Sequence, residues 1–120
     1  MSSSKSNYFY PKISEDKILY KGKRFWIFEI SLEFPYQGYE KYCEVIVYDK
    51  KNGAEMAGAK KGANGYIGSL IGTMDSISVS GKSPIELLES VINKWRSYEK
   101  HVSGSISPSM FRFRKRTTKS

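Results

Sequence analysis

The chain is nearly without cysteine and histidine: Cys43 and His101 are the single examples of each. One cysteine cannot form an internal disulfide, which fits a reducing compartment. Two such residues cannot close a cysteine/histidine zinc site, which takes three or four ligands. No stretch approaches the roughly 20 consecutive apolar residues that a membrane helix needs. The opening "MSSSKSNYFYPK" lacks the apolar run of a secretory signal. These absences point to a soluble, cytoplasmic protein that makes no membrane contact and carries no cofactor.

Catalytic constellations are missing as well. No Ser/His/Asp order is present, and a single histidine near a helix end is a poor general base. Asp75, Glu86, Glu89 and Glu99 are the acids near the C-terminal helical pattern, and caps and solvated faces account for them. The expectation is a protein that is not an enzyme.

Acid is absent where base is concentrated. The formal charge is +8. Residues 1–24 carry +4, residues 25–102 carry −1, and residues 103–120 carry +5 with no acid at all. The whole excess therefore sits at the two ends. At this length the chain holds one modest core and not two, and its 14% aromatic content argues that it folds.

What is present reads as alternating strands followed by a helix. "KRFWIFEISLEF" (Lys23–Phe34) places Trp26, Phe28, Ile30, Leu32 and Phe34 on one face and Glu29, Ser31 and Glu33 on the other, the period-two signature of a strand buried on one side. Pro35 and Gly38 supply a turn. "YCEVIVYDK" (Tyr42–Lys50) is a second strand, with Cys43, Val45 and Val47 sharing a face opposite Tyr42, Ile46 and Tyr48. Asn52-Gly53 is a strong turn signal. The following "AEMAGAKKGANG" is rich in glycine and reads as a mobile loop. "YIGSLIG" (Tyr66–Gly72) and "SISVS" (Ser76–Ser80) complete a set of four strands.

The sharpest local signal is "SPIELLESVINKWRSYEKHV". Ser83 is an N-cap, Pro84 takes the first helical position and Glu86 completes a capping box. Ile85, Leu88, Ile92, Trp95 and Val102 form an apolar stripe, Lys100 and His101 suit the negative helix end, and Ser103-Gly104 reads as the stop. The expected fold class is α+β: an antiparallel sheet of about four strands packed by one long C-terminal amphipathic helix, with basic N- and C-terminal arms. The expected boundaries are an arm over 1–17, a single domain over 18–103 and a basic tail over 104–120.

From about Gly65, "GYIGSL" and "SISVSGKSPIELLESVINKW" resemble the sheet-to-helix segment of HicB-type antitoxins over about a third of the chain. The resemblance implies a small regulatory protein that masks a partner, and it carries over no catalytic residue. This chain departs from the family in having an extra first strand and a basic tail in place of a DNA-binding module after the helix.

"SGKS" (Ser80–Ser83) sits where a phosphate loop would lie, but Ser76 occupies the position of the first P-loop glycine, so the stretch reads as a turn and cap. In "GAKKGANG", glycines would let backbone approach a phosphate while Lys60 and Lys61 supply charge; a solvated hairpin loop explains the same residues. In "MFRFRKR", Phe111 and Phe113 alternate with Arg112 and Arg114, followed by Lys115 and Arg116. A merely solubilising tail has no use for phenylalanine, whereas rings beside guanidiniums are the equipment of single-strand binders. "NYFYPK" (Asn7–Lys12) repeats the mixture, and Lys17, Lys21, Lys23 and Arg24 follow it. Trp26 and Trp95 read as core, and Cys43 as a small buried hydrophobe.

The sequence therefore points to a small basic nucleic-acid-binding protein. Its contacts would be Lys23, Arg24, Lys60, Lys61, Phe111, Arg112, Phe113, Arg114, Lys115 and Arg116. The alternative is a protein-binding inhibitor, an antitoxin or phage counter-defence factor that masks an acidic or nucleic-acid-binding surface on a larger partner. A homodimer through a sheet edge fits either.

Overall fold

A computed structural model of the chain describes residues 8–105, the last five by backbone alone. The architecture is α+β, with one helix laid on an antiparallel sheet. The strands are β1 (Ile18–Lys21), β2 (Phe25–Glu29), β3 (Val45–Asp49), β4 (Ala54–Gly62), β5 (Gly65–Leu70) and β6 (Ser78–Gly81), and α1 spans Pro84–Ser105. They form a six-stranded sheet in simple chain order, every neighbouring pair antiparallel.

Six strands replace the expected four. β1 comes from "ILYK", too short and too cationic at its end to stand out by pattern, and Gly22 turns it into β2 through a bond from its N–H to the Phe25 carbonyl at 3.0 Å. β4 comes from the glycine-rich segment that reads as a loop. Its backbone groups are satisfied by β3 on one side and β5 on the other, and that pairing outweighs the poor strand propensity of Ala and Gly. The Lys60–Lys61 pair thus lies within a strand, and only Ala63-Asn64 turn the β4–β5 hairpin.

Small residues are what this part of the sheet requires. A Cβ on Gly68 would come within 1.9 Å of the Gly58 carbonyl oxygen, and one on Gly81 within 2.2 Å of the Leu87 nitrogen. Side chains at these two positions would push β5 off β4 and α1 off β6.

β2 and β3 are buried on both faces, where alternation predicts one. Ile27, Val45 and Val47 point to the helix side, together with Ala57, Ala59, Leu70 and Val79, and meet Leu87, Leu88 and Val91 of α1. Trp26, Phe28, Ile30, Ile46 and Tyr48 point the other way, where Ile13, Tyr36 and Tyr39 pack on them. The cover on that face is the segment before β1 and the β2–β3 connection. Cys43 belongs to this second cluster and not to the face of Val45 and Val47.

β2, expected to run to Phe34, stops at Glu29. Ser31 closes a turn instead: its Oγ accepts from the N–H groups of Glu33 and Phe34 at 3.2 and 3.1 Å. That leaves Leu32 79% exposed and Phe34 44% exposed.

The helix begins as its sequence specifies. Ser83 Oγ accepts from the Glu86 N–H at 3.2 Å, and Glu86 Oε1 accepts from the Lys82 N–H at 3.0 Å, one residue earlier than the usual box. The buried stripe is Leu87, Leu88 and Val91, with Ile92 and Trp95 partly buried beside it, while Ile85 is exposed. The stripe is thus rotated from the one expected; the Val102 side chain lies outside the described residues. Ser103 and Gly104 continue the helix, which ends at Ser105. α1 starts on β6 and reaches β1, crossing the sheet.

Gly81→Ala forces a methyl into the backbone of α1, and the expected cost is roughly 2–3 kcal/mol, read as a lowered urea midpoint. Gly62→Ala is the control: its Cβ would meet only the Gly65 carbonyl oxygen at 3.5 Å, and its midpoint should move far less. Equal shifts for the two would refute the close-approach account.

Candidate functional site

The cations expected to contact phosphate do not form one patch on the folded body. Lys23 stands exposed in the β1–β2 turn. Arg24, just before β2, grips Asp49 with both arms: Nε to Oδ1 and Nη2 to Oδ2, each at 2.9 Å. Asp49 is only 2% exposed and also accepts from the Lys51 N–H and the Asn52 side-chain amide. Burial by itself would raise the Asp49 carboxyl. The Arg24 bonds, the Lys51 N–H and the guanidinium charge outweigh it and hold the carboxyl below the usual range, while the bond to Asp49 raises Arg24. Arg24 is therefore first a structural clamp; its guanidinium also lies 4.9 Å from the Phe25 ring centre.

Lys60 and Lys61 are neighbours in β4 and so project from opposite faces. Lys61 Nζ pairs with Glu29 Oε2 at 3.0 Å, an interaction that raises its pKa, and its N–H bonds Glu44 Oε1 at 2.9 Å. Lys60 stands opposite Ile67 of β5 on the face away from the helix, and both are exposed. The two lysines thus cannot cradle one phosphate from a loop. Phe111, Arg112, Phe113, Arg114, Lys115 and Arg116 lie outside the described residues.

Two arrangements escaped the sequence reading. At the end of β3, Lys50 is 4% exposed, and its ammonium lies 4.6 Å from the Tyr10 ring centre, 4.7 Å from Trp26 and 5.6 Å from Tyr8. The Lys50 carbonyl accepts from the Phe9 N–H at 2.7 Å. Burial, with the charge of Lys21, pushes the Lys50 pKa down. The ring faces supply the electrostatic partner in place of a carboxylate, so Lys50 ties the segment before β1 to the sheet. Tyr8 and Tyr10 are in this respect packing residues: Tyr10 stands edge-on to Trp26 at 5.8 Å.

The second is a cleft of about 500 Å³ between the C-terminal half of α1 and the ends of β2, β3 and β4. Phe25, Met56, Ile92 and Trp95 give it apolar walls, and Arg24, Asp49, Arg96 and Glu99 give it charge. The Trp95 ring is fixed by a bond from Nε1 to the Met56 carbonyl at 2.9 Å. On the second face Glu55 accepts from the Tyr36 hydroxyl, which, with burial as the main cause, pushes the Tyr36 pKa well above the usual range. Burial likewise pushes the Cys43 thiol up, away from reactive thiolate character. Among the described residues, no group of three or more His, Cys, Asp or Glu is placed to hold a metal ion.

Arg24→Ala leaves Asp49 buried without its main partner, with an expected loss of about 2–3 kcal/mol at neutral pH. A depressed carboxylate stabilises the fold above its unfolded pKa, and that stability is lost as pH falls through the folded value. The gap between wild type and Arg24→Ala should thus be widest near pH 7 and shrink by about pH 3, below the ordinary Asp range. Urea melts at the two pH values check this; a gap that stays constant would show that the ion pair is not its source.

No family model, curated protein or solved structure matches the chain.

Proposed function

We propose that this is a small, non-enzymatic nucleic-acid-binding protein whose folded body is a scaffold and whose basic ends make most of the contacts. One observation carries the reading: the partition of charge. Residues 8–105 hold a net +2, while residues 1–7 and 106–120 together hold six Lys/Arg and no acid. Within the body, Arg24 and Lys61 are taken up by Asp49 and Glu29. Of the cations that the sequence assigns to phosphate contact, this leaves Arg112, Arg114, Lys115 and Arg116, with Lys23 and Lys60 as exposed auxiliaries. Phe111 and Phe113 supply faces for unpaired bases. Binding of this kind is driven by counterion release and carries little sequence preference.

With about five phosphates engaged, log affinity should fall against log salt with a slope of about −4. Fluorescence anisotropy with labelled single-stranded and duplex oligonucleotides measures it. Replacing Arg112, Arg114, Lys115 and Arg116 by Gln should flatten the slope by about three to four units and weaken all sequences alike. Phe111→Ala with Phe113→Ala should weaken the single strand more than the duplex. Absence of binding at low salt would overturn the reading. It would favour the alternative, a protein-binding inhibitor, whose complex persists near physiological salt.

A further inference from the structure

The cleft beside α1 lacks the positive charge of the chain as a whole. The side chains of Arg24, Arg96, Asp49 and Glu99 at its border sum to zero in a protein of +8. Arg24 is already neutralised by Asp49. Glu99 is exposed and carries no ion pair among the described residues. Its neighbour Arg96 adds a like charge for any cation that enters, which makes capture reversible. Below this rim lie Phe25, Met56, Ile92 and Trp95, apolar walls held in place by the Trp95–Met56 bond. The volume lies within the range of small-ligand and side-chain pockets. A matching occupant joins aromatic rings to cations in a short stretch, and this chain contains one in "FRFRKR".

Reach also permits it. Trp95 lies ten residues before the end of α1 at Ser105, or about 15 Å along the axis. The six residues from 106 to 111 span at most about 20 Å, enough for Phe111 to return to the Trp95 wall of its own molecule. So short a tether holds the local concentration in the millimolar range, where even a weak peptide site fills.

We propose that the cleft is an intramolecular docking site for the segment 111–116, with Phe111 and Phe113 against Trp95 and Phe25 and an arginine at Glu99. Nucleic acid and the cleft then compete for the same residues, so docking lowers the free concentration of the binding tail without abolishing binding. The site stands independently of the nucleic-acid reading, because it is defined with no nucleic acid present.

The test is ¹H–¹⁵N NMR of the full chain. Phe111→Ala with Phe113→Ala lies far from the cleft in sequence, yet it should shift the Trp95 indole N–H signal and the amides of Ile92–Glu99 and Phe25. Reciprocally, Glu99→Lys should move the Phe111 and Phe113 amide signals. Both effects should survive tenfold dilution. A Trp95 indole signal that stays in place in the double variant would overturn the proposal. So would shifts that disappear on dilution, since these would place the tail on a second copy. If the shifts occur but oligonucleotides do not bind, the docking stands and the nucleic-acid reading falls.

Discussion

The structure depends on one constraint: β2 and β3 are apolar on both faces and must be covered twice. Ile27, Val45 and Val47 require the helix; Trp26, Phe28, Ile46 and Tyr48 require something else. The described residues hold one α-helix, and the second cover is assembled from the segment before β1 and from the β2–β3 connection. Asp49 and Lys50, the two charged residues buried among those described, end β3 side by side and point to opposite faces. Asp49 clamps Arg24 and the turn after β3 on the helix side. Lys50 holds Tyr8 and Tyr10 over Trp26 on the other. Two adjacent charges thereby fasten two different layers, one through a carboxylate–guanidinium fork and the other through ring faces.

The same economy shapes the surface. Ion pairs that stabilise the body also withdraw cations from any partner, so a basic protein presents a nearly neutral fold. Most of its excess charge lies in residues 1–7 and 106–120. The sheet edges add little adhesive capacity. β1 and β6 are four residues each, the β1–β2 register is irregular, and the outward N–H of Ser80 is met by Ser90 Oγ of α1 at 3.2 Å. Short, irregular or covered edges discourage strand addition. A recognition role is therefore best sought in the ends of the chain and in the cleft that α1 forms with the strand ends.

Legibility in the sequence followed the range of the interactions. The helix start was readable because a cap is local: Ser83, Pro84 and Glu86 act within four residues of one another. The cores of β2 and β3 were readable because β-branched and aromatic runs have few other uses, although their second buried face was not. Strand β4 was hidden, since Ala57, Gly58 and Ala59 have no strand preference of their own, and the close approach that suits Gly58, a Cβ of which would come within 2.8 Å of Cys43 Sγ, comes from a residue 15 positions away. β1 was hidden by its shortness. Lys61 and Arg24 were visible as cations, but their partners Glu29 and Asp49 lie 32 and 25 residues away in sequence.

The sequence by itself determined the fold class, the single helix with its capped start, and the concentration of positive charge at the ends, because composition, caps and short-period patterns need no distant partner. The tertiary structure alone decided which cations are already engaged, which face of α1 is buried, that a glycine-rich stretch becomes a central strand, and that a tryptophan, a methionine and a glutamate border one cleft. Each of these is set by residues brought together across many positions, where packing distance and burial, not local preference, carry the energy.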